Sequence, residues 1–240
     1  MTNREITIVH LYPEKMNIYG DNGNVLVLKR RLEWHGYEPH VIDYNVGDAF
    51  PEHVDILVGG GGQDSGQISI HDDLMKVGPR LQELADHDTP MLLVCGLYQL
   101  FGKFFKTADG TNLKGIGIFD IETHATNERL IGNVISHNDT FGDIIGYENH
   151  SGQTYLGERA QPFARVKKGA GNNSQDKHEG ARYRNVIGTY LHGSLLPKNP
   201  RIADFMIEIA VRKRYGDFSP QVIDDLFADL ARDVASQRPR

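Results

Sequence analysis

The first hundred residues alternate short, almost wholly apolar runs with segments whose apolar positions recur at helical spacing. No other feature limits the fold as much. EITIVHLY (5–12) is β-rich, and NVLVLKRRLEW (24–34) places Val25, Leu28 and Leu32 on one helical face before a stop at Gly36. YEPHVIDY (37–44) and VDILVGG (54–60) are further strand candidates, the second running straight into glycines. Residues 67–86 carry Ile68, Ile70, Leu74, Val77, Leu81 and Leu84, which predicts one or two helical segments interrupted near Gly78-Pro79. PMLLV follows, and then a helix over 96–106. Runs this short and this apolar are buried on both faces, so the pattern predicts an α/β fold with a doubly wound, mostly parallel sheet.

The second half reads differently. KGIGIFDIETHAT (114–126), RLIGNVISHN (129–138), GDIIGYENH (142–150), PFARVKK (162–168) and RNVIGTYLH (184–192) are short, β-rich and separated by Gly, Asn and Asp. They predict added strands, some antiparallel, on the edge of the same sheet. A helix capped by Asn199, with Pro200 in its first turn, and a last helix over 219–234 complete a single domain of residues 1–240, its core spanning about 5–215. The net charge of -6 and the lack of a long basic run argue against nucleic acid. The clusters Lys29-Arg30-Arg31 and Arg212-Lys213-Arg214 have acidic neighbours and read as solvated helix faces. One cysteine forbids an internal disulfide and fits a reducing compartment. The N-terminus lacks a signal-peptide pattern, and no apolar stretch approaches a membrane span; the expectation is a cytoplasmic protein.

In an open parallel sheet, ligands sit at the carboxyl ends of the strands. Two features stand there: Cys95, at the end of PMLLV and followed at once by Gly96, and the run Gly59–Gly62 with Gln63 after VDILV. Strand, cysteine, helix is the layout of a nucleophile elbow, where the helix dipole favours a thiolate and backbone N–H groups can hold an oxyanion. Spacing alone leaves nucleophile and buried core cysteine equally open; the strand-terminal position and the glycine-rich loop favour the nucleophile. A thiol nucleophile needs a base, and 11 histidines compete. His10 alternates with apolar neighbours and reads as core, while His35, His53, His71, His87 and His178 read as surface. His137, His150 and His192 end strand-like runs, and His192, flanked by glycine in GTYLHG, ranks first.

VCGLYQLFG with the distant GTYLHG resembles the class I glutamine amidotransferases, in the branch that includes the cobyric acid synthases. GGGGQD, ENHSGQTYLG, GAGNN with DKHEG, and GTYLHGSLLPKNP are similar to the GatD-type subunits of lipid II isoglutaminyl synthase. The resemblance, over about residues 5–215, implies a flavodoxin-like sheet with helices on both faces, Cys95 as nucleophile, His192 as base and Arg129 as the group that holds glutamine. Planar guanidinium suits a free amino acid's carboxylate; read without the resemblance, Arg129 is a surface charge. Backbone N–H groups of Gly96, Gly60 and Gly61 are oxyanion candidates, and Gln63 and Asn149 candidates for the pocket wall. Two departures stand out: Ser194 occupies the position where most such enzymes carry a glutamate two residues after the histidine, and Leu93 and Leu97 replace common glycines around the elbow. A dyad, a carboxylate from a partner, or one from elsewhere in the chain would each fill the gap.

The resemblance further implies that ammonia passes to a Mur-ligase-like, MurT-type partner that activates the α-carboxylate of D-glutamate in lipid II. ATP is expected there, because no GxxxxGK[ST] stretch occurs here; neither metal nor cofactor is expected in this chain. Rival readings are a stand-alone cysteine γ-glutamyl hydrolase, an amidotransferase of a cofactor pathway, whose synthetase domain is normally fused, and a binding subunit with a structural Cys95.

Overall fold

The computed structural model describes residues 4–239. The apolar runs form β1 (Glu5–Leu11), β2 (Glu38–Tyr44), β3 (Ile56–Gly59) and β4 (Met91–Val94), with α1 (Asn22–Trp34), α2 (Asp64–Asp86) and α3 (Gly96–Leu100) after β1, β3 and β4. Every residue of β3 and β4 is buried, as strands covered on both faces must be. With β12 (Val186–Thr189) and the antiparallel edge strand β11 (Ala181–Tyr183) they make a six-stranded sheet, ordered β11-β12-β4-β3-β1-β2. The register pairs Leu11 with Gly59, Gly59 with Leu93, and Val94 with Thr189. Four parallel strands therefore end level, and the chain leaves β1 for β2 on one side and β3 on the other. That is the switch-point crevice where doubly wound sheets bind ligands.

Apart from β11 and β12, the later strands do not extend this sheet as expected. β5 (Phe104–Lys106), β6 (Asn112–Lys114), β7 (Ile121–Asn138), β8 (Gly142–Leu156), β9 (Ala164–Lys168) and β10 (His178–Glu179) form a second sheet around the long β7–β8 hairpin. β7 and β8 pair along their length, and β7 also pairs β5 and β9. Among the described residues the hairpin therefore bridges to the first sheet's chain at Tyr147–His192, while Gln161, after β8, bridges to Arg182 of β11. The bridge at Tyr147 lays β8 against the end of β12, and so beside the crevice.

Local expectations are corrected elsewhere. α2 runs unbroken through Gly78-Pro79; a Cβ at residue 78 would stand 2.9 Å from Ile116 Cγ2, a contact that calls for glycine. The helix expected over 96–106 stops at Leu100, because Phe104–Lys106 pairs with β6 and β7. α4 spans Pro200–Tyr215, but Asn199 makes no side-chain cap. Its amide bonds the Ile145 backbone on both sides instead, tying α4 to β8. The last helix, α5, is Leu226–Gln237, and residues 219–225 are not helical. Those residues lead into a partly buried clamp: Arg31, read above as solvated, is buried and donates to both Asp204 and Asp225. His35, expected at the surface, is buried and accepts the Gln221 N–H. Among the described residues no helix is long and apolar enough to cross a membrane.

Candidate active site

Cys95 closes β4 with φ 51° and ψ -106°, a conformation that costs a non-glycine residue energy and turns its side chain out of the sheet at the start of α3. The strain is held from both sides: Cys95 N–H donates to Thr189 O, and Gln99 N–H donates to Cys95 O. The leucines that replace glycines around this elbow pack beneath it. A Cβ on Gly59 would lie 2.3 Å from Leu97 Cδ1 and 3.4 Å from Leu93 Cδ1, so bulk at 93 and 97 fills the space that Gly59 leaves. Neither leucine lines the cleft above.

His192 follows β12, its N–H donating to Tyr147 O. The imidazole is fully buried at the crevice. Its Cε1 would lie 2.7 Å, and Cys95 Cβ 3.0 Å, from a Cβ on Gly61, so that glycine is the slot through which ring and thiol approach. Nδ1 lies 3.2 Å from Asp21 Oδ2 and 3.3 Å from Oδ1, and Nε2 has no hydrogen bond among the described residues. Burial opposes a charged ring here. Negative charge at Cys95 and on Asp21 outweighs it and pushes His192 up to about 10. At neutral pH the ring is therefore an imidazolium facing Cys95, the arrangement that activates cysteine nucleophiles.

Asp21 was not singled out in the sequence. In YGDNGN it stands just before α1, where an aspartate reads as a helix cap; yet its side chain makes no cap bond. Its carboxylate, 1% exposed, instead takes the Gly61 N–H at 2.8 Å and faces His192. Ser194, in the position where a glutamate was missed, donates to Gly20 O at 2.7 Å. A Cβ on residue 23 would lie 2.1 Å from Ser194 Oγ, so Gly23 makes room for that contact. The serine thus anchors the β1–α1 segment that delivers Asp21. An uncommitted Asp before the first helix, next to the switch crevice, was the available signal.

A cleft of about 390 Å³ opens above Cys95. Gln63, Arg129, Asn149 and His150 line it, as do Tyr19 and Gln67. Arg129 reaches it through a bulge: between the pairs Ala125–Gly152 and Leu130–His150, residues 126–129 of β7 face Ser151 alone on β8. Its Nε donates to Asn149 Oδ1 at 2.8 Å and Nη2 to Tyr19 Oη at 3.1 Å. Among the described residues no carboxylate pairs with it and no hydrogen bond uses its Nη1. His150 is buried with its ring stacked on Tyr190, and burial pushes it down to about 3, which makes it a poor base. His137 lies partly exposed beside Asp143, and His10 is buried in the core. The Gly61 amide, proposed for the oxyanion, is spent on Asp21. Gly62 N would lie 3.1 Å from a Cβ on Gly96, and no hydrogen bond among the described residues uses either the Gly62 or the Gly96 N–H. No three His, Cys, Asp or Glu side chains among the described residues cluster to hold a metal ion.

Residues 7–200 match the CobB/CobQ-like glutamine amidotransferase domain. The subunit GatD of the glutamine-hydrolyzing lipid II isoglutaminyl synthase of Staphylococcus aureus is 39% identical over 236 residues, covering 98% of this chain and 96% of its own. The same subunit of Streptococcus pneumoniae is 37% identical over 237 residues, 97% of this chain and 90% of its own. A crystal structure of a glutamine amidotransferase superposes with a TM-score of 0.56 at 14% identity, covering 84% of this chain and 98% of that one, a likeness of fold.

Proposed function

Because the chain belongs to the CobB/CobQ-like glutamine amidotransferase family, we propose that it is the glutaminase subunit of a glutamine-hydrolysing amide ligase. The observation that carries the chemistry is one imidazole placed between Cys95 and a buried carboxylate. The Arg129 fork takes the α-carboxylate of glutamine, and Asn149 and Gln63 complete the wall. The Cys95 thiolate adds to the side-chain carboxamide carbon, and the resulting oxyanion is met by the N–H groups of Gly62 and Gly96. His192 protonates the departing nitrogen, ammonia leaves, and a γ-glutamyl thioester remains on Cys95. The neutral imidazole then takes a proton from water, whose oxygen attacks the thioester; glutamate leaves and the thiolate is restored. Asp21 holds the Nδ1–H throughout and so fixes the tautomer.

Both GatD relatives are named for a lipid II isoglutaminyl synthase and match over nearly their whole length, which supports the same acceptor here. Ammonia then serves a Mur-ligase-like, MurT-type partner that activates the D-glutamate α-carboxylate of lipid II with ATP. The chain's own carboxylate at His192 favours a second reading in one respect: hydrolysis needs no acid from the partner, so the isolated chain turns over glutamine. The test measures glutamate release by the chain alone and with its co-purified synthetase, for wild type and Cys95→Ala. Cys95→Ala should release none while still binding the synthetase. Release by that variant moves the nucleophile elsewhere. Full turnover with no synthetase able to bind supports the stand-alone hydrolase.

A further inference from the structure

Tyr19 has no role in the chemistry above, yet its ring spans the groups that do. It lies in the left-handed region, φ 59° and ψ 20°, where a bulky aromatic residue is uncommon and strained. The backbone on either side is clamped: Asn17 Oδ1 accepts the Asn22 N–H, Ser194 holds Gly20 O, and Asp21 holds the Gly61 amide. From this post the side chain, 43% exposed, leans over the cleft. Its hydroxyl oxygen accepts from Arg129 Nη2, and its ring meets the His192 imidazole edge-on with centroids 5.0 Å apart. Arg129 has Nε spent on Asn149 and one Nη2 hydrogen spent on Tyr19, which fixes the plane of the fork before any ligand arrives. A phenol that accepts from the guanidinium keeps its own O–H to donate. No acceptor for that O–H is present among the described residues, and the nearest anion in the reading above is the carboxylate that Arg129 grips.

We propose that Tyr19 is a substrate-positioning residue: its hydroxyl donates to the α-carboxylate of glutamine beside Arg129, and its ring shields the His192 imidazole from water. This deepens the glutaminase reading and rests on it. The two halves separate by substitution. Tyr19→Phe keeps the ring and removes the donor, so KM for glutamine rises about 10-fold, the range of a hydrogen bond to a charged group, with kcat within about 2-fold. Tyr19→Ala removes both, so kcat also falls and the pH limb set by His192 shifts. L-glutaminamide, which lacks the α-carboxylate, supplies the control: wild type and Tyr19→Phe should process it equally. An unchanged KM for glutamine in Tyr19→Phe, or an equal loss with L-glutaminamide, overturns the proposal. Thermal midpoints report whether the variants keep the fold. A wild type that releases no glutamate would instead sink the glutaminase reading itself.

Discussion

Asp21→Asn tests the arrangement most directly, because the substitution preserves shape and changes what the carboxylate does. Two N–H donors converge on Asp21: the Gly61 amide at 2.8 Å and His192 Nδ1 at 3.2 Å. A carboxylate satisfies both. An amide has one oxygen, so in either rotamer one donor faces an NH₂ group, or the imidazole swaps tautomer and presents N–H to the thiol. Both side chains are essentially unexposed, so solvent screens the pair little. At 3.2 Å and an effective dielectric constant of about 20, the attraction lost is about 5 kcal/mol. If half of that survives relaxation, kcat falls about 100-fold; trapping in the wrong tautomer takes the loss towards about 10⁴-fold. KM should change less than about 3-fold, since Arg129 and Asn149 are untouched. The assay is glutamate release at saturating glutamine, with a thermal midpoint confirming the fold. A variant within about 3-fold of wild-type kcat refutes the reasoning and points to a carboxylate supplied by the synthetase.

Other perturbations test neighbouring parts of the site. In Cys95→Ala, burial still opposes the imidazolium but the negative charge at Cys95 is gone, so the ¹⁵N NMR titration midpoint of His192 should drop below about 10; no movement would uncouple ring and thiol. Arg129→Lys keeps a charge but loses the fork and the Nε bond to Asn149, so KM should rise about 10-fold with a smaller change in kcat; an unaltered half-saturation point returns Arg129 to the surface. Glu179 is buried, and burial raises its carboxyl from 4.5 to about 7. The native state thus holds this proton more tightly than the unfolded chain does. Its contribution to stability is present in full below pH 4.5 and is lost as pH rises to about 7, by at most about 3 kcal/mol. Glu179→Gln keeps the neutral form, so urea unfolding at pH 5 and pH 8 should show a smaller loss than in wild type; an equal loss assigns the slope to other groups.

The order of strands and helices up to Cys95 was legible because each element advertises itself locally: period, burial and glycine stops all lie within a dozen residues. The elbow and the glycine loop were legible for the same reason, since strand-terminal position follows from the strand. What governs Cys95 did not lie within reach of any local pattern. Asp21 meets His192 across 171 positions and reads, by itself, as a helix cap. Arg31 and His35 read as solvated because the carboxylate and amide that bury them come from Asp204, Asp225 and Gln221, far along the chain. The β7–β8 hairpin looked like extra edge strands, since the pattern of a strand says which residues face inward but not which sheet receives it. Local periodicity, then, sets where the backbone turns and which surfaces are apolar. Which charges meet was decided only on folding, because Coulomb partners are chosen by distance in space and the sequence records distance along the chain.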